Sequence, residues 1–527
     1  MFLRRFGMIV LAAVPGCALH VAEFEPRPAF DVPESYTLPA PEASIVVAPW
    51  WHVFEDPALN TAMEQALAGN LTLAQGRDRI LRAAALLRQH QAALLPQVDF
   101  DSEGAQVWEK NLDLDTSPEP EPDGFTPPSN TEDDPAADDA AKQSSRDSSG
   151  TGSESGAGAN SGSNQSIDNT SWETEFSAGI SLSWELDFWG RLRSLAGAQA
   201  ETLGATTEEY EALRLSLSMD LADTWFAAVE QRMQLDLLDE QLELAETFLE
   251  LIELRFLQGD ASIVDVLQQR SQVAEIEAEV PVAQSQLRLL ENRIDVLAGI
   301  PPDGVDRTAD AIQTLPQNTR LPEISVPLDL LLQRPDLRAL QRRAVAVDYQ
   351  IGAAIAERLP RVTLNGSFAY SDGSSDATLT GIGGLGLFQP LLDWGARKAA
   401  VDATRAVYSE TLHQFSEQYL EAIEEVETTL WQEGRQRELL DALARRAEIL
   451  DRTVEETRVR YSLGVTDYLP VLTALQDLQE IQRDLIDERR ALVSLRIRLF
   501  GAVGAPTAAP KEGAISAAAT VAGSGGA

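Results

Sequence analysis

Few residues in this chain have the type and spacing that chemistry requires. Four histidines, at positions 20, 52, 90 and 413, are scattered and form no ligand set at metal-binding spacing. No nucleophile is paired with a base, no phosphate loop occurs, and the glycines come singly at turns. Asp133-Asp134 and Asp138-Asp139 lack the fixed ligand spacing of a calcium loop and read as a solvated, self-repelling stretch. What remains is the single cysteine, which excludes an internal disulfide. A basic start at Arg4 and Arg5 and an apolar run from Phe6 to Val14 precede Val14-Pro-Gly-Cys17. That is the pattern of an export signal, residues 1–16, ending in a lipoprotein cleavage site. The expected chemistry is therefore lipid attachment at Cys17, with no catalysis, no metal and no cofactor. A net charge of -41 over 527 residues makes nucleic acid a poor partner.

The elements around this sparse chemistry are long and repeated. From Arg191 to about Leu257 there is no proline, and leucine, alanine, glutamate and glutamine dominate, which predicts one helix. At 1.5 Å per residue it would be roughly 100 Å long, far beyond the needs of a compact domain. Gln258-Gly259-Asp260 turns the chain into a second helical stretch, Ser262 to Leu297, which Pro281 should kink and Gly299 with Pro301-Pro302 should stop. The unit then recurs. Leu-Asp-Phe-Trp-Gly190-Arg returns as Leu-Asp-Trp-Gly395-Ala-Arg, Arg255-Phe-Leu-Gln-Gly259 as Arg460-Tyr-Ser-Leu-Gly464, and Leu95-Pro96 as Leu359-Pro360. The domains expected are a strap at 17–57, a first repeat at 58–299, a linker at 300–326, a second repeat at 327–501, and a disordered tail at 502–527. An acidic, serine- and glycine-rich insertion, roughly 111–170, lengthens the first copy and should be disordered.

After each Leu-Pro the apolar period changes from 3.6 to 2. Between Trp172 and Phe188, apolar positions such as Phe176, Ile180, Leu182 and Trp184 alternate strictly with Glu173, Glu175, Ser181 and Glu185. Alternation over more than about 10 residues is the signature of a membrane-spanning barrel strand. Weaker strands are expected at Val98 with Phe100, at Val362 to Tyr370, and at about Leu379 to Gln389. Four strands cannot close a barrel, and an open edge is not tolerated in lipid, so chains must associate.

In this order, and occurring twice, the Trp50-Trp51 opening, Arg334-Pro-Asp336, the Leu-Pro strand starts, the Leu-Asp-(Phe)-Trp-Gly marks and the Arg-x-x-x-Gly turns resemble the outer-membrane factor family. That family comprises the TolC- and OprM-like efflux ducts, and the resemblance is to its lipoprotein branch, that of RND-type systems. The resemblance implies a mainly α chain whose four β-strands and long antiparallel helices join a trimeric β-barrel and a periplasmic α-barrel. It implies an exit duct in the bacterial outer membrane, lipid-anchored, with its helices in the periplasm. The partners implied are two further copies, a periplasmic membrane-fusion adaptor, an inner-membrane pump and outer-membrane lipid. Small molecules are the expected cargo, with type I protein secretion as the alternative; a coiled-coil adaptor or tether, from another class, would carry no membrane strands.

By the same resemblance, the adaptor should contact Arg255, Gly259, Arg460 and Gly464 at the hairpin tips. The gate aligns to an apolar ring at Leu469, with the family's acidic positions falling on Pro470 and Thr473 and a basic one on Gln476. Asp265 and Asp467 supply carboxylates nearby. Along the first long helix Glu208, Glu209, Glu211, Asp220, Glu230, Glu240, Glu243, Glu246 and Glu250 are candidates for the lumen.

Overall fold

The computed structural model describes residues 20, 22, 26–37, 44–45, 49–110, 170–316, 319–324, 327–372 and 376–507. Cys17, the export signal and the acidic insertion up to residue 169 lie outside them. In chain order the elements are β1 (Ser44–Ile45), a 3₁₀ turn (Trp50–Phe54), α1 (Pro57–Gly69), α2 (Leu71–Ala92), β2 (Gln97–Lys110), β3 (Thr170–Leu186), α3 (Arg191–Gln258) and α4 (Ile263–Leu297). The second half follows with β4 (Leu321–Pro322), a 3₁₀ turn (Pro327–Asp329), α5 (Leu330–Gln333), α6 (Pro335–Ala356), β5 (Arg361–Asp372), β6 (Thr378–Phe388), α7 (Ala396–Ser462) and α8 (Leu469–Ala502). The duplication is thus helix, strand hairpin, helix hairpin, twice. Helix α3 has 68 residues and α7 has 67, about 100 Å each at 1.5 Å per residue. Helix α4 runs through Pro281 without a break.

Two compact units divide the chain, and neither coincides with a repeat copy. The smaller comprises Val98–Leu182 and Asn365–Gly384. Its strands belong to a sheet of order β2-β3-β5-β6, so β2 and β6 are free edges within one chain. A Cβ placed on Gly179 would lie 3.4 Å from the Asp101 carboxylate and 3.5 Å from the Ala369 Cβ, which puts the polar sets of β2, β3 and β5 on one face. Phe100, Phe176, Ile180 and Phe368 belong to the other set, and each is largely exposed. An apolar sheet face and two open edges are stable only against lipid and further strands. Among the described residues no helix is long and apolar enough to cross a membrane.

The larger unit comprises Met1–Gln97, Ser183–Leu364 and Leu385–Ala527. Its core gathers residues from the whole length of the chain. Trp50 is fully buried, stacks on Phe500 at 5.4 Å and donates its Nε1–H to Ser218 Oγ at 2.9 Å. Trp225 donates to the buried Asp56, whose other oxygen caps α1. Arg334 donates to Asp336, to Glu425 and to the Ala502 carbonyl, tying the start of α6 to α7 and to the end of α8. Segment 26–37 lies along α7, where the Ala29 amide donates to Ser416 Oγ and Phe30 meets Tyr419 edge-on. β1 pairs in parallel with β4, joining residues 44–45 to residues 321–322. The expected tail starts too early: Ala502, Val503 and Ala505 are buried, and the Trp50 amide donates to the Pro506 carbonyl at 3.1 Å. Small apolar residues there fill the core beside Trp50, which composition alone does not reveal.

The repeated Leu-Asp-(Phe)-Trp-Gly marks are helix starters. Asp187 accepts the Leu192 and Arg193 amides, and Asp393 accepts those of Gly395 and Arg397, supplying carboxylate oxygens to first-turn donors that have no helical partner. These amides hold the Asp393 carboxyl below the ordinary aspartate range. The second mark is one residue shorter, and its Trp394 sits at φ 52, a left-handed conformation that the first copy avoids.

Candidate functional site: the paired hairpin tips

Each long hairpin turns on a glycine in the left-handed region, Gly259 at φ 85 and Gly464 at φ 68. In both turns the glycine amide bonds back three residues, and the next amide bonds the carbonyl of the arginine that opens the motif: Asp260 to Arg255, Val465 to Arg460, each at 2.9 Å. This is the Schellman end, and it explains the Arg-x-x-x-Gly spacing as backbone closure of the helix. Nothing lies within 4 Å of a Cβ built on either glycine, so conformation and not crowding requires them.

The two arginine side chains part company. Arg255 Nη1 donates to the Tyr461 carbonyl at 3.2 Å, and its guanidinium lies 4.3 Å from the Tyr461 ring centroid, joining the end of α3 to the end of α7. Arg460 instead pairs with Glu456 one turn back on its own helix. Tyr461 meets Tyr468 at 5.5 Å, and the buried Tyr468 hydroxyl donates to Gln269 on α4. Burial pushes both phenols above their ordinary range. Ile252, Val266, Val471, Leu472 and Leu475 complete an apolar cluster linking α3, α4 and α8. Tyr461, Tyr468 and Gln269 were not foreseen from sequence. The available signal was the exchange of Phe256 for Tyr461 between the two copies, which adds a hydroxyl.

Leu469, Thr473 and Gln476 recur at three- and four-residue spacing and are exposed on one face of α8, while residues 471, 472, 474 and 475 between them are buried. Gln476 also donates to Gln272 on α4. Asp265 completes a capping box with Ser262, so its carboxylate is engaged in starting α4. Asp467 is exposed in the turn before α8. Of the acidic residues expected along the lumen, Glu208 and Glu209 pair with Arg338 and Arg343 of α6, and Glu211 with Arg214. These three serve helix packing and the local helix surface.

A family model described as outer membrane efflux protein matches residues 150–300 and 326–505, more than half of the chain, and each matched segment contains one long helix hairpin. The chain belongs to the outer membrane efflux protein family. It is 26% identical over 475 residues to the pyoverdine export outer membrane protein OpmQ of Pseudomonas putida, covering 86% of this chain and 87% of that one. It is 23% identical over 510 residues to the cation efflux system protein CusC of Escherichia coli K12, covering 94% and 97%. Among solved structures, the open state of the Neisseria gonorrhoeae MtrE outer membrane channel superposes with a TM-score of 0.74 at 17% identity, covering 93% of this chain and 98% of that one. This efflux protein is a mainly α chain with the β-barrel plus α-barrel fold of outer-membrane channels, located in the bacterial outer membrane, where it serves as an exit duct.

Proposed function

We propose that this duct conducts small molecules delivered by an inner-membrane pump through a periplasmic adaptor, that it works as a homotrimer, and that Leu469 closes it at rest. The carrying observation is the exposed stripe of Leu469, Thr473 and Gln476 beside a buried stripe on the same helix. Leu469 keeps just over half of its surface exposed in one chain. Three such side chains meeting on an axis would exclude water from the pore, with Thr473 and Gln476 hydrogen bonding behind them. The names of relatives, pyoverdine export and cation efflux, favour small cargo. Adaptor contact falls on the exposed turns at Gly259 and Gly464, with exposed Leu257, Leu463 and Val465 beside them and Arg460 open to solvent. Asp265 and Asp467 mark the same end of the helices.

Lipid anchoring at Cys17 is supported by the basic start, the apolar run and the Gly16-Cys17 box of the sequence. Fatty-acid labelling of the wild type, lost in Cys17→Ser, checks the anchor.

The gate is tested by single-channel recording of the reconstituted trimer. Leu469→Ser should raise resting conductance several-fold, and Thr473→Ala should leave it within about twofold. Unchanged conductance in Leu469→Ser would place the closure elsewhere.

A further inference from the structure

Helices α3 and α8 meet along the seam between the two long hairpins, and one stretch of that seam is unbalanced in charge. Arg490 of α8 is 8% exposed. Its Nη2 lies 3.0 Å from Asp223 Oδ2 and donates to the Asp223 carbonyl at 2.7 Å, while Nη1 donates to Ser494. Its Nε is buried without a hydrogen-bond acceptor and faces Glu230 Oε2 at 3.8 Å. Asp487, one turn before on α8, accepts from Gln234 Nε2 at 2.6 Å, and Gln234 lies one turn after Glu230 on α3, which sets the two carboxylates side by side across the seam. Two carboxylates, Asp223 and Glu230, thus face one guanidinium, and a third, Asp487, lines the same cavity as Glu230.

The surroundings offer no relief. Glu230 and Asp487 line a cavity of about 720 Å³ shared by α3, α4 and α8. Its other charged residues are Glu275 and Glu279 of α4 and Glu480, Arg483 and Asp484 of α8, and Arg483 is engaged with Glu279 at 2.9 Å. Two carboxylates set side by side cannot both ionise cheaply where burial weakens solvation.

We propose that Glu230 carries a proton that it donates to Asp487 across the α3–α8 seam, forming a proton-operated latch that holds the two hairpins together when Glu230 is protonated and loosens them when the proton leaves. Burial, followed by the Asp487 charge, pushes the Glu230 carboxyl up to about 7. A raised carboxyl sets the sign. The latch is fully formed below the ordinary glutamate range and is lost as pH rises through about 7. One proton changes the held-to-loosened ratio by at most about tenfold per pH unit.

The test uses the full-length protein in lipid nanodiscs and two readouts. Infrared difference spectra between pH 5 and 9 follow the carbonyl stretch of a protonated carboxyl, and spin labels on α3 and α8, at Asp236→Cys and Arg489→Cys, follow the seam. In the wild type the carboxyl band should vanish with a midpoint near neutrality as the inter-label distribution broadens. In Glu230→Gln, whose amide donates permanently to Asp487, the band should be missing and the distribution should stay narrow at every pH. Asp487→Asn, whose amide can donate to an ionised Glu230, should likewise keep the distribution narrow at every pH, and serves if the first variant folds poorly. No titrating band, a band that titrates without change in distance, or broadening that persists in both variants would overturn the latch. Neither readout involves transport, so failure here would leave the Leu469 gate standing.

Discussion

Arg255 holds the Tyr461 carbonyl and ring, whereas Arg460, its counterpart in the second copy, pairs with Glu456 in open solvent. A partly buried cation that donates to a carbonyl and covers an aromatic face contributes about 1–2 kcal/mol, while an exposed pair within one helix contributes about 0.3–0.5 kcal/mol. Arg255→Ala should therefore raise amide exchange in both tips, around residues 252–258 and 458–464, and Arg460→Ala should change it little; hydrogen-exchange mass spectrometry separates them. Asp393 gives a pH-dependent case. Its carboxyl is held low by the Gly395 and Arg397 amides, so its support for the first turn of α7 is present above the ordinary aspartate range and is lost as pH falls through the depressed value. Asp393→Ala should fray that turn at neutral pH, and the difference from wild type should vanish only in strong acid, as followed by exchange of residues 396–400.

At the level of elements, the long helices were legible because propensity, the absence of proline and the glycine stops all agree over dozens of residues. Both copies end each long helix on a left-handed glycine, Gly259, Gly299, Gly464 and Gly504. Gly259→Ala and Gly464→Ala should each cost about 1 kcal/mol from backbone strain alone, since a methyl meets open space at both; the loss is readable as a lower thermal midpoint. The strands were legible by alternation, even glycine-rich β6, because its place after β5 repeats that of β3 after β2. The tip was legible only in part. Spacing pointed to Arg255, Gly259, Arg460 and Gly464, but the partition of the two arginines depends on which side chain crosses to the other hairpin, and one chain's sequence does not encode that pairing locally. Glu230 stood out as one acid among many. Its distinction comes from Asp487 and Arg490, more than 250 residues away.

For the whole molecule, the sheet face carrying Ile180 makes the demand for lipid quantitative. Ile180→Lys should destabilise the assembled barrel by about 2–4 kcal/mol if it sits near the bilayer midplane, whereas Ser181→Lys, on the opposite face of β3, should be tolerated. The proportion of assembled oligomer surviving graded denaturant in lipid vesicles measures the difference. The hydrogen bond from the Trp50 amide to the Pro506 carbonyl carries a further consequence. It brings the beginning of the first copy against the end of the second, so the duplicated chain closes on itself as a ring with one missing peptide link. The order in which the copies are read is then a matter of where the ring is cut. A gene that joins residue 507 to residue 49 by a short linker and begins instead at residue 319, just before β4, would keep the contacts among residues 49–507 in a different sequence order while giving up β1 and the segment 26–37.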